Sequence, residues 1–504
     1  MTATIKVIAI LAVLTAVLLG AADSARILVV VPIMARSHHI AISGVTKALA
    51  EKGHHITYVS GLAKGNKINP THNHKLIHVA GSEAELKRFW TNKRGTLDKV
   101  TFLMEWGARM CNETMSNPDV QAELNKPGQK YDLVIAELFF FQEAFVGLGH
   151  QFNVPVVAVN PFGASQFINE HAGNPLRACA SSRFSFHVAS DMSYTFINLP
   201  KQQEIVDRYW PGAPPVDDML RSNLALTVIN NHFTLVYPMP MAPNVVEIGG
   251  IHIPQKRNPL PKDLQEFLDS AKEGVLYFSL GSNLKVQYMP EDKKDAILGG
   301  LGALKERVLL KWDGEVPKGL PPNIRTIEWA PQSDLLAHPN IRAFWTHGGL
   351  LSTQESVYFG VPLLGMPMFG DQQFNMMLAE RKGFCVKLDF ETMTRASVDA
   401  ALDEILHNPK YKKAASKLSG IFRSKAVQPA EAAVFSIEHV LEHGADHLKP
   451  SNVFMPLYQL LLLDVILAGA AVVLLPLLLL WACCRALCGG KKAASSPSKR
   501  KKNN

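Results

Sequence analysis

Short, nearly unbroken apolar runs spaced by helical patterns constrain this chain more than any other feature in it. Residues 26–32 read Arg-Ile-Leu-Val-Val-Val-Pro, with no alternation of polar and apolar side chains. A strand that is apolar on both faces must be covered on both, the condition of a parallel sheet between layers of helix. A loop with Ser37, His38 and His39 follows, then a helical pattern over 40–52 closed by Gly53, then a second strand at 55–60. That is a βαβ unit. Runs at 133–136 and 154–159 continue the series, and a second series occupies 274–279, 308–311, 324–329, 341–345, 363–366 and 385–388. Gly249, Gly250, Pro254, Pro259 and Pro261 punctuate the chain between the two. The reading is an α/β protein of two doubly wound domains, 26–250 and 263–459, with a linker at 251–262. A chain of 504 residues is long enough for both.

The two ends read as addresses. Lys6 precedes an apolar run at 7–19 and small residues at 20–25, the pattern of a secretory signal peptide over 1–25, cut between Ala22 and Ala25. Residues 465–484 hold no charge; twenty helical residues span roughly 30 Å, the thickness of a bilayer core. Pro476 is tolerable there. A transmembrane helix at 460–484 and a basic tail at 485–504 put the tail in the cytosol and the body in the lumen. Lys501 and Lys502 stand fourth and third from the end, which resembles the dilysine retrieval signal of type I endoplasmic reticulum proteins. Asn112-Glu113-Thr114 is a glycosylation triplet that fits a luminal face.

Charge and cysteine content exclude other classes. The formal charge of +8 is mostly in the tail; without the basic residues of the two ends, Asp23 and Asp464, 44 basic and 42 acidic residues remain. Nothing points to nucleic acid as a partner. Only Cys111, Cys179 and Cys385 lie in the body, too few for a disulfide framework and without a zinc spacing.

The chemistry concentrates in 329–388. Trp329-Ala-Pro-Gln332 comes first, then His347-Gly348-Gly349 after a strand, then Glu355, then Asp371-Gln372 and Asn375. Two glycines between a strand and a helix allow close backbone approach, and a helix N-terminus with free N–H groups is an anion site. Diphosphate is the anion that fits. Glu355, two turns on, suits ribose hydroxyls, Trp329 offers a flat face for a base, and Asp371 and Gln372 suit sugar hydroxyls. Read singly, His347-Gly348-Gly349 is also a tight turn and Trp329 also a core residue.

Together these residues resemble the donor-binding signature of the UDP-glucuronosyl/glucosyltransferase family, and the likeness runs from Arg26 into the tail. The run His-Gly-Gly-Leu-Leu-Ser-Thr-Gln-Glu is most similar to insect membrane-bound members. The resemblance implies a GT-B fold of two facing Rossmann-like domains, the first for the acceptor and the second for a UDP-sugar. It implies Trp329 on uracil, Gln332 near uridine, the His347–Gly349 turn and Ser282 at the diphosphate, Glu355 on ribose, and Asp371 and Gln372 on the sugar. Glucose is the donor sugar implied by the insect-like variant. The implied partners are the UDP-sugar as co-substrate and a small lipophilic acceptor. No cofactor is implied, and no metal, in keeping with the lack of a D-x-D motif.

Glycosyl transfer to a hydroxyl needs a base, and histidine suits neutral pH. His38 follows the first strand, and Glu137 ends the strand at 133–136, where a carboxylate orients and supports an imidazolium. The family pattern makes His38 the base and Glu137 its partner in one inverting displacement; His39 is the alternative base. The stretch 172–201 departs from the family, shortened by roughly two dozen residues, about six or seven helical turns. That departure motivates a second reading, a non-catalytic membrane protein that keeps the fold with an altered acceptor site. A third is a nucleotide-sugar epimerase, which the membrane anchor disfavours. Homo- or hetero-oligomers are compatible with the sequence.

Overall fold

The computed structural model describes residues 24–64, 74–79, 96–163, 166–174, 192–238, 240–281, 284, 286–368, 370–460 and 462–488. Residues 1–23 of the expected signal peptide, Cys179, Ser282, most of the altered stretch and the dilysine lie outside them. Residues 1–450 and 451–504 form two compact units.

The first unit holds two sheets. β1 (Arg26–Val31), β2 (His55–Ser60), β3 (His74–His78), β4 (Leu133–Ala136), β5 (Val156–Asn160), β6 (Leu224–Ile229) and β7 (Val245–Glu247) form the first. β8 (Val275–Ser279), β9 (Arg307–Lys311), β10 (Ile324–Ile327), β11 (Ile341–Thr346), β12 (Leu363–Gly365) and β13 (Cys385–Lys387) form the second. Their orders are β3-β2-β1-β4-β5-β6-β7 and β10-β9-β8-β11-β12-β13. Every pairing is parallel. The unbroken apolar runs explain this: on β1, Ile27, Val29 and Val31 enter one core while Leu28 and Val30 enter the core on the opposite face. Each such side chain contributes about 1.5–3 kcal/mol of burial. Strand order reverses at β1/β4 and at β8/β11, and a crevice opens beyond the carboxyl ends of strands at such a point.

Three features differ from the sequence reading. Strands β3, β6 and β7 were not among those expected; β3 is polar at both ends and β7 is three residues long, so neither carries a strong pattern. The helix after β1 spans Arg36–Glu51, so His38 and His39 sit in its first turn rather than in a loop. The range 263–459 is not one packing domain either. The helix Pro429–His443 returns to the first sheet, where Ala433, Val434, Ile437 and Val440 join the core of β1. Its Glu438 meets His54 Nε2 at 3.2 Å. Beyond 429 the chain thus straps the first lobe.

The described end of the altered stretch is packed. Tyr194–Asn198 is a π-helical turn leading into the helix Leu199–Tyr209, and Tyr194 stacks on Phe167 with centroids 4.1 Å apart. In the second unit, the helix Leu463–Cys488 contains a span, Leu463–Leu487, of mean hydropathy 2.7. It is long and apolar enough to cross a membrane. Asn112 lies in the helix Thr96–Ser116, where its Oδ1 accepts from Arg208 Nη1 at 2.7 Å and Thr114 is buried. Cys111 and Cys385 are buried free thiols.

Candidate active site

Both strand-order reversals open onto one cavity of about 540 Å³. From the first lobe it is lined by Arg36, Ser37, Ile40, Leu103, Phe139, Phe140 and Phe162. The second lobe supplies Lys311, Trp329, Gln332, His347, Gly349, Glu355, Asp371 and Gln372. Apart from Arg36 and Ser37, aromatic and aliphatic carbon forms the first wall; charged and hydrogen-bonding groups are concentrated on the second.

β1 and β4 are neighbours in register, so the residues that follow them emerge side by side. His38 Nδ1 donates to Glu137 Oε1 at 2.5 Å, and both side chains are buried. The carboxylate fixes the tautomer and leaves Nε2 as the nitrogen free for chemistry. Phe140 stacks on the His38 ring and Phe162 meets it edge-on, at 5.2 and 4.9 Å between centroids. His39 has no such freedom. Its Nε2 donates to the Ile33 carbonyl at 2.7 Å, its Nδ1 accepts from the Tyr58 hydroxyl at 3.0 Å, and burial lowers its pKa to about 4. It is a satisfied core histidine.

The second lobe builds a turn around another histidine. His347 follows β11, beside the end of β8. A β-carbon on Gly281 would stand 2.7 Å from His347 Cε1, and one on Gly349 would stand 2.8 Å from Nε2. Gly281 also has φ +78°, a conformation that side chains disfavour. The glycines therefore let the imidazole lie flat between two backbones, and Gly349 caps the helix Leu350–Phe359. Gly348, at φ +83°, abuts Met376. Burial, and then the nearby Lys311 charge, lower the His347 pKa to about 4. At neutral pH His347 is an uncharged donor, not a cation.

The other expected donor residues are joined by hydrogen bonds. Gln332 Oε1 accepts from Tyr277 OH at 3.2 Å, and its Nε2 donates to Ser352 Oγ at 3.0 Å and to Glu355. Glu355 also accepts from Ser333 Oγ at 2.5 Å; burial raises its pKa. Asp371 is the N-cap of the helix Gln372–Arg381 and accepts from Asn375 Nδ2 at 2.7 Å. Burial raises its pKa to about 6, while His38 across the cavity is near enough to pull it down. Gln372 Oε1 accepts from Met368 N. Trp329 is half exposed, its ring open to the cavity.

Two further residues, Lys311 and Gln354, emerge only from the structure, and Asn375, seen in the sequence without a role, gains partners. Lys311, on the last position of β9, donates from Nζ to Gly281 O at 3.1 Å and to Asp313 at 3.0 Å, bringing positive charge to the turn. Asn375 donates to Gly348 O at 3.0 Å as well as to Asp371, tying the glycine turn to the Asp371 carboxylate. Gln354, fully buried, donates to Asn230 O at 3.0 Å and accepts from Gly250 N at 2.9 Å, so the helix bearing Glu355 is bolted to the first lobe.

Two parallel, doubly wound sheets facing one cavity, with a glycine-flanked helix N-terminus on one wall, are the GT-B glycosyltransferase arrangement. Residues 212–495 match the family model of UDP-glucoronosyl and UDP-glucosyl transferase, and the chain belongs to that family. It is 33% identical over 479 residues to the UDP-glycosyltransferase UGT5 of Dactylopius coccus, covering 89% of each chain. It is 32% identical to the 2-hydroxyacylsphingosine 1-beta-galactosyltransferase of Rattus norvegicus, covering 88% of this chain and 85% of that one. Among solved structures, the calicheamicin glycosyltransferase CalG4 superposes with TM-score 0.61 at 19% identity, covering 84% of this chain and all of that one. That likeness shows the fold alone. The chain is a UDP-sugar-dependent glycosyltransferase.

Proposed function

We propose that this enzyme moves a hexose, glucose first, from its UDP donor to a hydroxyl of a small lipophilic acceptor, with inversion and with His38 as the base. The reading is carried by the buried His38–Glu137 pair, which stands at one strand-order reversal and packs against Phe140 and Phe162 of the cavity wall. The acceptor lies against Phe139, Phe140, Phe162 and Leu103, a wall suited to apolar carbon. Its hydroxyl gives a proton to His38 Nε2 as its oxygen bonds to the anomeric carbon. Glu137 stabilises the imidazolium. The bond from that carbon to the β-phosphate oxygen breaks, and UDP leaves with its charge met by the Gly349 helix N-terminus, His347 and Lys311. Attack from the face opposite the leaving group inverts the centre. No metal ion takes part. Uracil stacks on Trp329, ribose binds Glu355, and the sugar hydroxyls bind Asp371 and Gln372. The enzyme sits in the endoplasmic reticulum membrane, body luminal, held by the Leu463–Cys488 helix.

The sugar is the least constrained part, since a relative at 32% identity is named a galactosyltransferase. Microsomes containing the enzyme would be given UDP-glucose, UDP-galactose or UDP-glucuronic acid, with phenols and lipophilic alcohols, in the presence of EDTA. A β-linked glucoside formed fastest is the expected result. An α-linked product would overturn inversion, a faster galactoside would overturn the sugar, and loss of transfer with EDTA would overturn the metal-free step.

A further inference from the structure

We propose that Arg36, from the acceptor lobe, is a donor-binding side chain: its guanidinium rests on Trp329 and turns to the diphosphate when uracil takes the indole face. This rests on the donor site proposed above. Arg36 opens the helix that carries His38 two residues later. Its guanidinium carbon lies 5.6 Å from the centroid of the Trp329 ring, which belongs to the opposite lobe. The contact thus spans the cleft.

A second cation shares the ring: Lys311 Nζ lies 6.0 Å from the same centroid. A base that stacks on Trp329 competes with these two cations for the indole. They are not equally movable. Lys311 is buried and anchored by the Gly281 carbonyl and Asp313. Arg36 is exposed and, among the described residues, has no carboxylate within ion-pair distance, although Glu355 and Asp371 line the same cavity. A guanidinium held only by the quadrupole of a ring exchanges easily for a stacked base, since the two contacts are of similar strength.

The displaced guanidinium has a destination. Diphosphate brings negative charge to a turn where His347 is uncharged and Lys311 is already shared with Asp313. Arg36 lines the same cavity as His347 and Gly349 and, among the described residues, is the cavity cation without an ion-pair partner. Its planar fork suits phosphate oxygens. Because it belongs to the His38 helix, its move to the donor would draw the base toward the anomeric carbon only when a donor is present.

The test is equilibrium binding of UDP and of uridine to purified full-length protein in detergent, by calorimetry, for wild type, Arg36→Gln and Arg36→Lys. The expected result is a loss of UDP affinity of about tenfold or more in Arg36→Gln, a smaller loss in Arg36→Lys, and uridine affinity unchanged or improved. Unchanged UDP affinity in both variants would overturn the proposal. Equal loss for UDP and uridine would also overturn it, because Arg36 would then only shape the base pocket. Failure of the wild type to bind UDP at all would overturn the donor site itself.

Discussion

His38 and His347 occupy equivalent places. Each follows a strand at the point where its sheet reverses order; His347 lines the cavity, and His38 packs behind Phe140 and Phe162 of its wall. Their neighbours make them different groups. His38 meets a carboxylate at 2.5 Å, which fixes the orientation and tautomer of the ring. His347 meets two glycine backbones and a lysine, which keep it neutral. The lesson is that position in a doubly wound sheet makes a residue available, while the partner decides whether it moves a proton or donates a hydrogen bond.

The largest expected effect comes from removing that partner. Glu137→Gln keeps the shape, but the amide can donate to Nδ1 and so favours the tautomer with a proton already on Nε2. The transfer rate should fall about 10²–10⁴-fold with UDP affinity intact; parallel loss of both would dissolve the distinction between the two histidines. Next, Gly281→Ala forces a methyl against the His347 ring at a positive φ. The donor KM should rise about tenfold or more, from the cost of overpacking, with little change in the pH profile of the rate. A shifted pH profile would mean that the two sites are not separable.

Gln354→Leu tests the bolt between the lobes. It leaves the Gly250 N–H and the Asn230 carbonyl without their partner, and should cost about 2–4 kcal/mol of stability, read as a lower Tm. An unchanged Tm would mean that the hydrogen bonds carry no net stability.

A smaller effect contrasts two carboxylates of the first lobe. Glu137 has a histidine; Glu143, also buried, has the Asn198 amide at 3.1 Å, and burial raises its pKa to about 7. Between pH 4.5 and 7 the folded chain keeps a proton that the unfolded chain has lost, so stability falls as pH rises through that window. Glu143→Gln should therefore stabilise the protein by up to about 3 kcal/mol above pH 7 and by little at pH 4. A Tm difference independent of pH would contradict this.

The sheets were legible because buried parallel strands are apolar on both faces, as 26–32 and 274–279 are. The cavity residues between 329 and 372 could be grouped from the sequence because they fall in one segment and keep a strand–glycine–helix order. What escaped was set by contacts between distant parts of the chain. Gln354 has its partner 124 residues away. Lys311 looks like any strand-end lysine until β8 and β9 are paired. The strap at 429–443 has an ordinary amphipathic pattern that does not say which lobe it covers. His38 was expected in a loop because Arg36-Ser37-His38-His39 carries no apolar periodicity, yet the helix starts at Arg36.

The most direct test measures the transfer rate and UDP affinity side by side on His38→Ala and His347→Ala. The account requires His38→Ala to bind UDP like the wild type and transfer almost nothing, while His347→Ala loses UDP affinity. Transfer surviving in His38→Ala, or an equal loss of UDP binding in both variants, would contradict the division of labour proposed for the two histidines.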